Sequence, residues 1–241
     1  MTTNRTACVT GTDRGVGLAL VHRLLEAEYT VFAGGIQPDN DGIRELKERY
    51  RDRLHAFKLD VGSDESVKAA AALIAGHTDR LELLINNAAI LGDTEKTILD
   101  EIDFEEVQRN FNITALGAIR MSNALIGAIM NGGKLIVTIS SEAGSIGDCY
   151  REAWFGYSMA KAAVNMGSVI IHNKIRADGG RVILLHPGWV KTFMSGEWND
   201  AGKYTPEESA ANILKTIEAR KDEIGKQPLY LEADTGKLLP W

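Results

Sequence analysis

Ala7-Cys8-Val9-Thr10-Gly11-Thr12-Asp13-Arg14-Gly15-Val16-Gly17 runs from an apolar stretch of strand length into a glycine loop, and Leu18 to Ala27 continue with helical spacing. Strand, glycine loop and helix in that order make a dinucleotide site. The glycines let the backbone turn and approach a pyrophosphate, and the helix N-terminus favours its negative charge. Gly11, Gly15 and Gly17 are therefore candidate cofactor residues, with Val16 between the last two. The spacing is Gly-x-x-x-Gly-x-Gly rather than Gly-x-Gly-x-x-Gly.

Outward from this loop, strand-length apolar runs alternate with helical patterns to the end of the chain. That alternation predicts an α/β fold, a single Rossmann-type domain over residues 1–241. Its doubly wound parallel sheet would have about seven strands and helices on both faces. The second strand, Tyr29 to Ala33, ends in Gly34-Gly35-Ile36-Gln37. NAD-selective sites usually place an acid there for the ribose 2′-hydroxyl. None stands here, and Arg14 either pairs with a 2′-phosphate or is a solvated loop arginine. NADP(H) is the expected cofactor, NAD(H) the alternative.

The third strand, Leu54 to Leu59, delivers Asp60-Val61 to a carboxyl edge, where Asp60 suits an adenine amino group. Leu81 to Ile85 reads as a central strand and ends in Asn86-Asn87-Ala88-Ala89, amides and small residues fit to line a groove. A helix from about Phe104 to Met130, bent near Gly117, contains Asn112, a residue mildly unfavourable in mid-helix. Strand Leu135 to Ile139 delivers Ser140 and Ser141, and a helix opening near Phe155 carries Tyr157 and Lys161 one turn apart. A nearby ammonium lowers a phenol's pKa, so Tyr157 would serve as general acid/base beside a serine hydroxyl that holds a carbonyl oxygen. Tyr-x-x-x-Lys alone is a common surface pair; the surrounding motifs give it weight. Strand Arg181 to Leu185 leads through His186 to Pro187-Gly188-Trp189-Val190-Lys191-Thr192, with Thr192 in reach of a nicotinamide carboxamide. Phe193 to Tyr204 fits a lid or a plain connection, Thr205-Pro206 opens a helix, and Pro228 to Glu232 is the final strand.

Composition narrows the function classes. The chain has 241 residues, 44% hydrophobic and 25% charged, with net charge −6. That charge implies no attraction to nucleic acid or anionic membrane. The apolar runs read as too short to span a bilayer, and the first residues lack a signal core. Cys8 and Cys149 make no disulfide framework, so a cytoplasmic location is expected, and no metal site is seen. The helices around Leu116 and Val164 are apolar on more than one side, which predicts a homodimer or homotetramer.

These pieces, in this order and over essentially the whole chain, resemble the short-chain dehydrogenase/reductase family, and its branch of C-factor-like and sniffer-like carbonyl reductases. The resemblance implies an NAD(P)-dependent oxidoreductase acting on a small carbonyl or alcohol. Asn112, Ser141, Tyr157 and Lys161 match the family's catalytic tetrad. Lys161 would lower the tyrosine pKa and bind the nicotinamide ribose, and Asn112 would hold a water relaying protons from Lys161. Tyr157, Asn87, Ala88, Ala89, Asp60, Val61, Pro187, Gly188, Val190 and Thr192 would join the glycine loop and Arg14 around the cofactor. The Ser141 to Tyr157 spacing is longer than is usual in the family, with extra residues around Asp148 to Arg151 at the mouth of the site. The other class to weigh is a dinucleotide-binding regulator or signalling protein, which has no need of the tetrad.

Overall fold

A computed structural model describes residues 5–241. Its strands are β1 (Thr6–Thr10), β2 (Thr30–Gly35), β3 (Leu54–Lys58), β4 (Leu83–Asn86), β5 (Leu135–Ile139), β6 (Arg181–His186) and β7 (Leu229–Glu232). All seven join one sheet in the order β3-β2-β1-β4-β5-β6-β7, and every pairing is parallel. The strand order reverses direction between β1 and β4, which opens a crevice beyond their carboxyl ends.

Helices α1 (Gly15–Glu26), α2 (Asp41–Tyr50) and α7 (Pro206–Arg220) contribute to one core, and α3 (Asp64–Ala75), α5 (Gly117–Asn131) and α6 (Phe155–Ile175) to the other. Strand alternation divides the core accordingly. Ala7 and Val9 of β1 join Leu20, Leu24 and Ile213, whereas Cys8 joins Leu84, Met121 and Leu125. Each large side chain buried this way stabilises the fold by about 1.5–3 kcal/mol relative to exposure.

The predicted helix after β4 runs through Phe104–Asn131, and its irregularity lies in the turn just before Gly117. It consists of α4 (Phe104–Asn110), a π-helical segment (Phe111–Leu116) and α5. By length and composition this run is apolar enough to cross a bilayer, which corrects the expectation that every apolar run is too short. Here Met121, Leu125 and Ile129 pack into the core under the sheet. Helix α2 is capped by Asn40, whose side chain accepts the Ile43 N–H at 3.0 Å.

Candidate active site

The crevice begins at β1. Thr10 Oγ1 accepts the Asn87 and Ala88 N–H groups, both at 3.0 Å, and the Asn87 amide donates to the carbonyls of Thr10 at 2.9 Å and Gly11 at 3.1 Å. These bonds lock the glycine loop to the end of β4. A Cβ on Gly17 would lie 2.0 Å from the Gly11 oxygen, so only glycine fits there. Gly15 differs: its φ is +58°, and an added Cβ would meet only Thr192 Cγ2, at 3.6 Å. That side of the loop is open, and it faces Thr192 across the crevice.

The start of α1 points to the crevice's ligand. Helices α2, α3 and α7 have side-chain caps from Asn40, Ser63 and Thr205. Helix α1 has none: Arg14 occupies its cap position without a side-chain hydrogen bond, and no acid sits in the first turn. Uncapped N–H groups beside an open glycine turn fit a phosphate. Exposed Arg14 has no ion pair among the described residues, and its guanidinium lies 5.8 Å from the Phe193 ring.

Sequence reasoning missed Asp13. Its carboxylate reaches the end of β2 and accepts the N–H of Ile36, at 3.2 Å, and that of Gln37. An acid therefore stands beside the strand end that the sequence leaves without one, supplied from the glycine loop, and no local pattern announces it. Asp60 Oδ1 accepts the Gly62 N–H at 2.8 Å in an exposed turn, and Val61 is buried against Gly117.

The structure also separates the two serines. Ser140 turns inward and donates to Asn165 Oδ1 at 2.5 Å. Ser141 sits beside the phenol of Tyr157 and hydrogen-bonds it. Its hydroxyl also accepts the Ala143 N–H at 3.2 Å, while Tyr230 donates to its backbone carbonyl. Tyr157 and Lys161 are both buried, at 8% and 3% exposure, and Lys161 Nζ lies 5.4 Å from the phenol ring centre.

The expected electrostatics are corrected here. Burial pushes the Tyr157 phenol up to about 12, and the Ser141 hydrogen bond offsets this only in part. Burial also brings Lys161 down to about 7, and its Nζ donates to the Ile139 carbonyl at 2.7 Å. Burial thus outweighs the lowering influences on the phenol, while the backbone holds Lys161 Nζ in place beside it.

Asn112 is not brought to Lys161 by its side chain. The amide donates to Gly62 O at 3.1 Å, and its oxygen accepts Arg120 at 2.8 Å, so it ties the helix to the loop after β3. The buried polar pair on the adjoining turn is Asn110 and Thr114: Thr114 Oγ1 donates to Asn110 Oδ1 at 3.0 Å, and the Asn110 amide donates to Leu91 O at 2.8 Å. The π-helical turn shifts which residues face inward, a change that the sequence spacing does not reveal.

Beyond β6, Gly188 has φ +83° and packs under Tyr204. Val190 bridges to Tyr204, and Pro187 O accepts the Ser209 hydroxyl at 2.8 Å. These contacts hold the turn that presents Thr192 to the glycine loop.

A crevice with an open glycine turn at one end and buried Tyr157 and Lys161 at the other suits a nucleotide-dependent oxidoreductase. The family described as short chain dehydrogenase matches residues 5–203, and the chain belongs to that family of NAD(P)-dependent oxidoreductases acting on CH–OH groups. It is 30% identical to 1-hydroxy-2-glutathionyl-2-methyl-3-butene dehydrogenase of Rhodococcus sp. strain AD45, over 76% of this chain and 78% of that one. It is 32% identical to C-signal of Myxococcus xanthus, over 61% and 86%. Among solved structures, NADPH-bound carbonyl reductase from chicken fatty liver superposes with a TM-score of 0.85 at 31% identity, covering 99% of this chain and 94% of that one.

Proposed function

We propose that this chain reduces the carbonyl of an aldehyde or ketone to the alcohol with NADP(H), with Tyr157 as general acid in that direction and general base in reverse. The observation that carries this is the buried phenol held by Ser141 beside buried Lys161. When bound, the reduced nicotinamide supplies the hydride to the carbonyl carbon. Ser141 holds the carbonyl oxygen, and Tyr157 gives it the proton. A phenol with a pKa of about 12 stays protonated at neutral pH, the form that reduction consumes. Lys161, near 7, is poised to take up and pass on a proton at neutral pH. The glycine loop, the open first turn of α1, Asp60, Val61, Asn87, Ala88, Ala89, Pro187, Gly188, Val190 and Thr192 would hold the dinucleotide, with Arg14 on the 2′-phosphate. The NADPH in the chicken carbonyl reductase supports NADP(H) over NAD(H).

C-signal among the relatives keeps a signalling reading in view. A binding-only role, however, gives no use to a buried Ser-Tyr-Lys corner. We take the whole chain as one domain working in the cytoplasm, a reading that the two free cysteines suit. The exposed Met159, Met166 and Ile170 of α6 and Phe111 and Leu116 of the π-helical turn support a homodimer or homotetramer. Light scattering that gives a single-chain mass would overturn the oligomer.

The reaction is tested by titrating the chain with NADPH and NADH through tryptophan fluorescence, then assaying carbonyl reduction by Tyr157→Phe. Tighter NADPH binding is expected. The variant should lose about 10²–10⁴-fold in kcat while keeping cofactor affinity. Full activity in Tyr157→Phe would remove the proposed role of Tyr157.

A further inference from the structure

The extra residues between Ser141 and Tyr157 form a wall beside the phenol. Arg151 is only 11% exposed in its side chain, although it sits on a loop. Its guanidinium pairs with Glu142 Oε1 at 2.8 Å. It also lies 4.8 Å from the Tyr150 ring centre and 5.0 Å from that of Trp154. The Trp154 indole meets Tyr157 edge to face, with ring centres 5.9 Å apart. Trp154 has a left-handed backbone, φ +70°, which a bulky residue holds only when its surroundings enforce it. The indole is half-buried: the guanidinium is stacked near it and an edge contact fixes it against the phenol. The segment from Phe193 to Tyr204 adds a second aromatic pair, Phe193 and Trp198, 5.2 Å apart. Arg151 offsets the charge of Glu142, the carboxylate that acts on the Tyr157 phenol, and the remaining acids of the loop, Asp148 and Glu152, are exposed to solvent.

We propose that this wall makes the site selective for uncharged aromatic or conjugated carbonyl compounds, with Trp154 as the surface that their ring packs against and Arg151 as the positioning residue that holds it. The inference rests on the reading of the reaction above and adds its substrate class. Aromatic pairs contribute about 0.5–1.5 kcal/mol beyond area burial, which converts to a preference of about two- to tenfold.

Two readouts test it. In the first, kcat/KM is measured with NADPH for 4-nitrobenzaldehyde and for hexanal. In the second, calorimetry compares binding of benzyl alcohol and hexan-1-ol to the chain with NADP⁺ present, which needs no turnover. The unsubstituted chain should favour the aromatic ligand in both. Trp154→Leu should bring the ratio near one through KM rather than kcat. Arg151→Met should do the same, and Arg151→Lys should restore most of the preference. Equal handling of the two ligands by the unsubstituted chain would overturn the proposal, as would variants that weaken both ligands alike. A chain that reduces neither aldehyde but binds benzyl alcohol selectively through Trp154 would break the reading of the reaction and leave this inference standing.

Discussion

At the β1 end of the crevice the working surface is backbone, and at the β5 end it is side chains. The glycine loop functions because side chains are missing: Gly17 has no room for a Cβ, and Gly15 leaves its side open toward Thr192. The corner at Ser141 functions because side chains are buried. Tyr157 and Lys161 take unusual pKa values from the same loss of water, one raised and one lowered. Shape is therefore the sensitive variable at the first end, and protonation at the second.

The widest separation is expected between Gly17→Ala and Tyr157→Phe. A Cβ at 2.0 Å from the Gly11 oxygen forces the loop away from Asn87. Gly17→Ala should therefore lose NADPH binding and about 1–3 kcal/mol of stability in denaturant melts, whereas Tyr157→Phe keeps both. Equal binding by the two variants would erase the contrast.

Protonation is probed next through Lys161. Its folded pKa of about 7 lies below the unfolded value near ~10.4. Between these values the unfolded chain binds the extra proton, so this residue's contribution to stability rises with pH from about 7 to about 10. The cofactor-free Tm of Lys161→Met, relative to the unsubstituted chain, should therefore fall as pH rises through that window. A constant difference would show that Lys161 keeps its proton in the fold.

A smaller effect is expected at Asp13. Its carboxylate sits where a 2′-phosphate would approach the end of β2. Asp13→Asn should raise the NADPH-to-NADH affinity ratio about two- to fivefold, in line with the modest worth of exposed charges. A fall in that ratio would show that the carboxylate does not oppose the phosphate.

The smallest effect on turnover is expected at Asn112. Because its side chain serves Gly62 and Arg120, Asn112→Ala should change kcat by less than about twofold while costing about 1 kcal/mol of stability. A loss of kcat beyond tenfold would restore the relay to this residue.

The strands were legible because parallel strands buried on both faces are continuously apolar, as in Leu83 to Ile85 and Leu135 to Val137. Tyr157 and Lys161 were legible because helical spacing survives folding unchanged. Asp13 was not, because its partners lie more than twenty residues away, just beyond the neighbouring strand β2. The orientation of Asn112 was not, because the π-helical turn is set by tertiary packing rather than by residue preference. The choice between Ser140 and Ser141 required Asn165 and Tyr230, which the sequence places far downstream.

The contact between Tyr230 and the Ser141 carbonyl spans 89 residues and comes from the last strand to be synthesised. As the chain leaves the ribosome, the glycine loop, α1 and the strands around them emerge early, and their mutual contacts are available at once. The catalytic corner lacks one of its braces until β7 has emerged and docked beside β6. A growing chain therefore has the glycine-loop part of its crevice in hand before it has a finished place for chemistry.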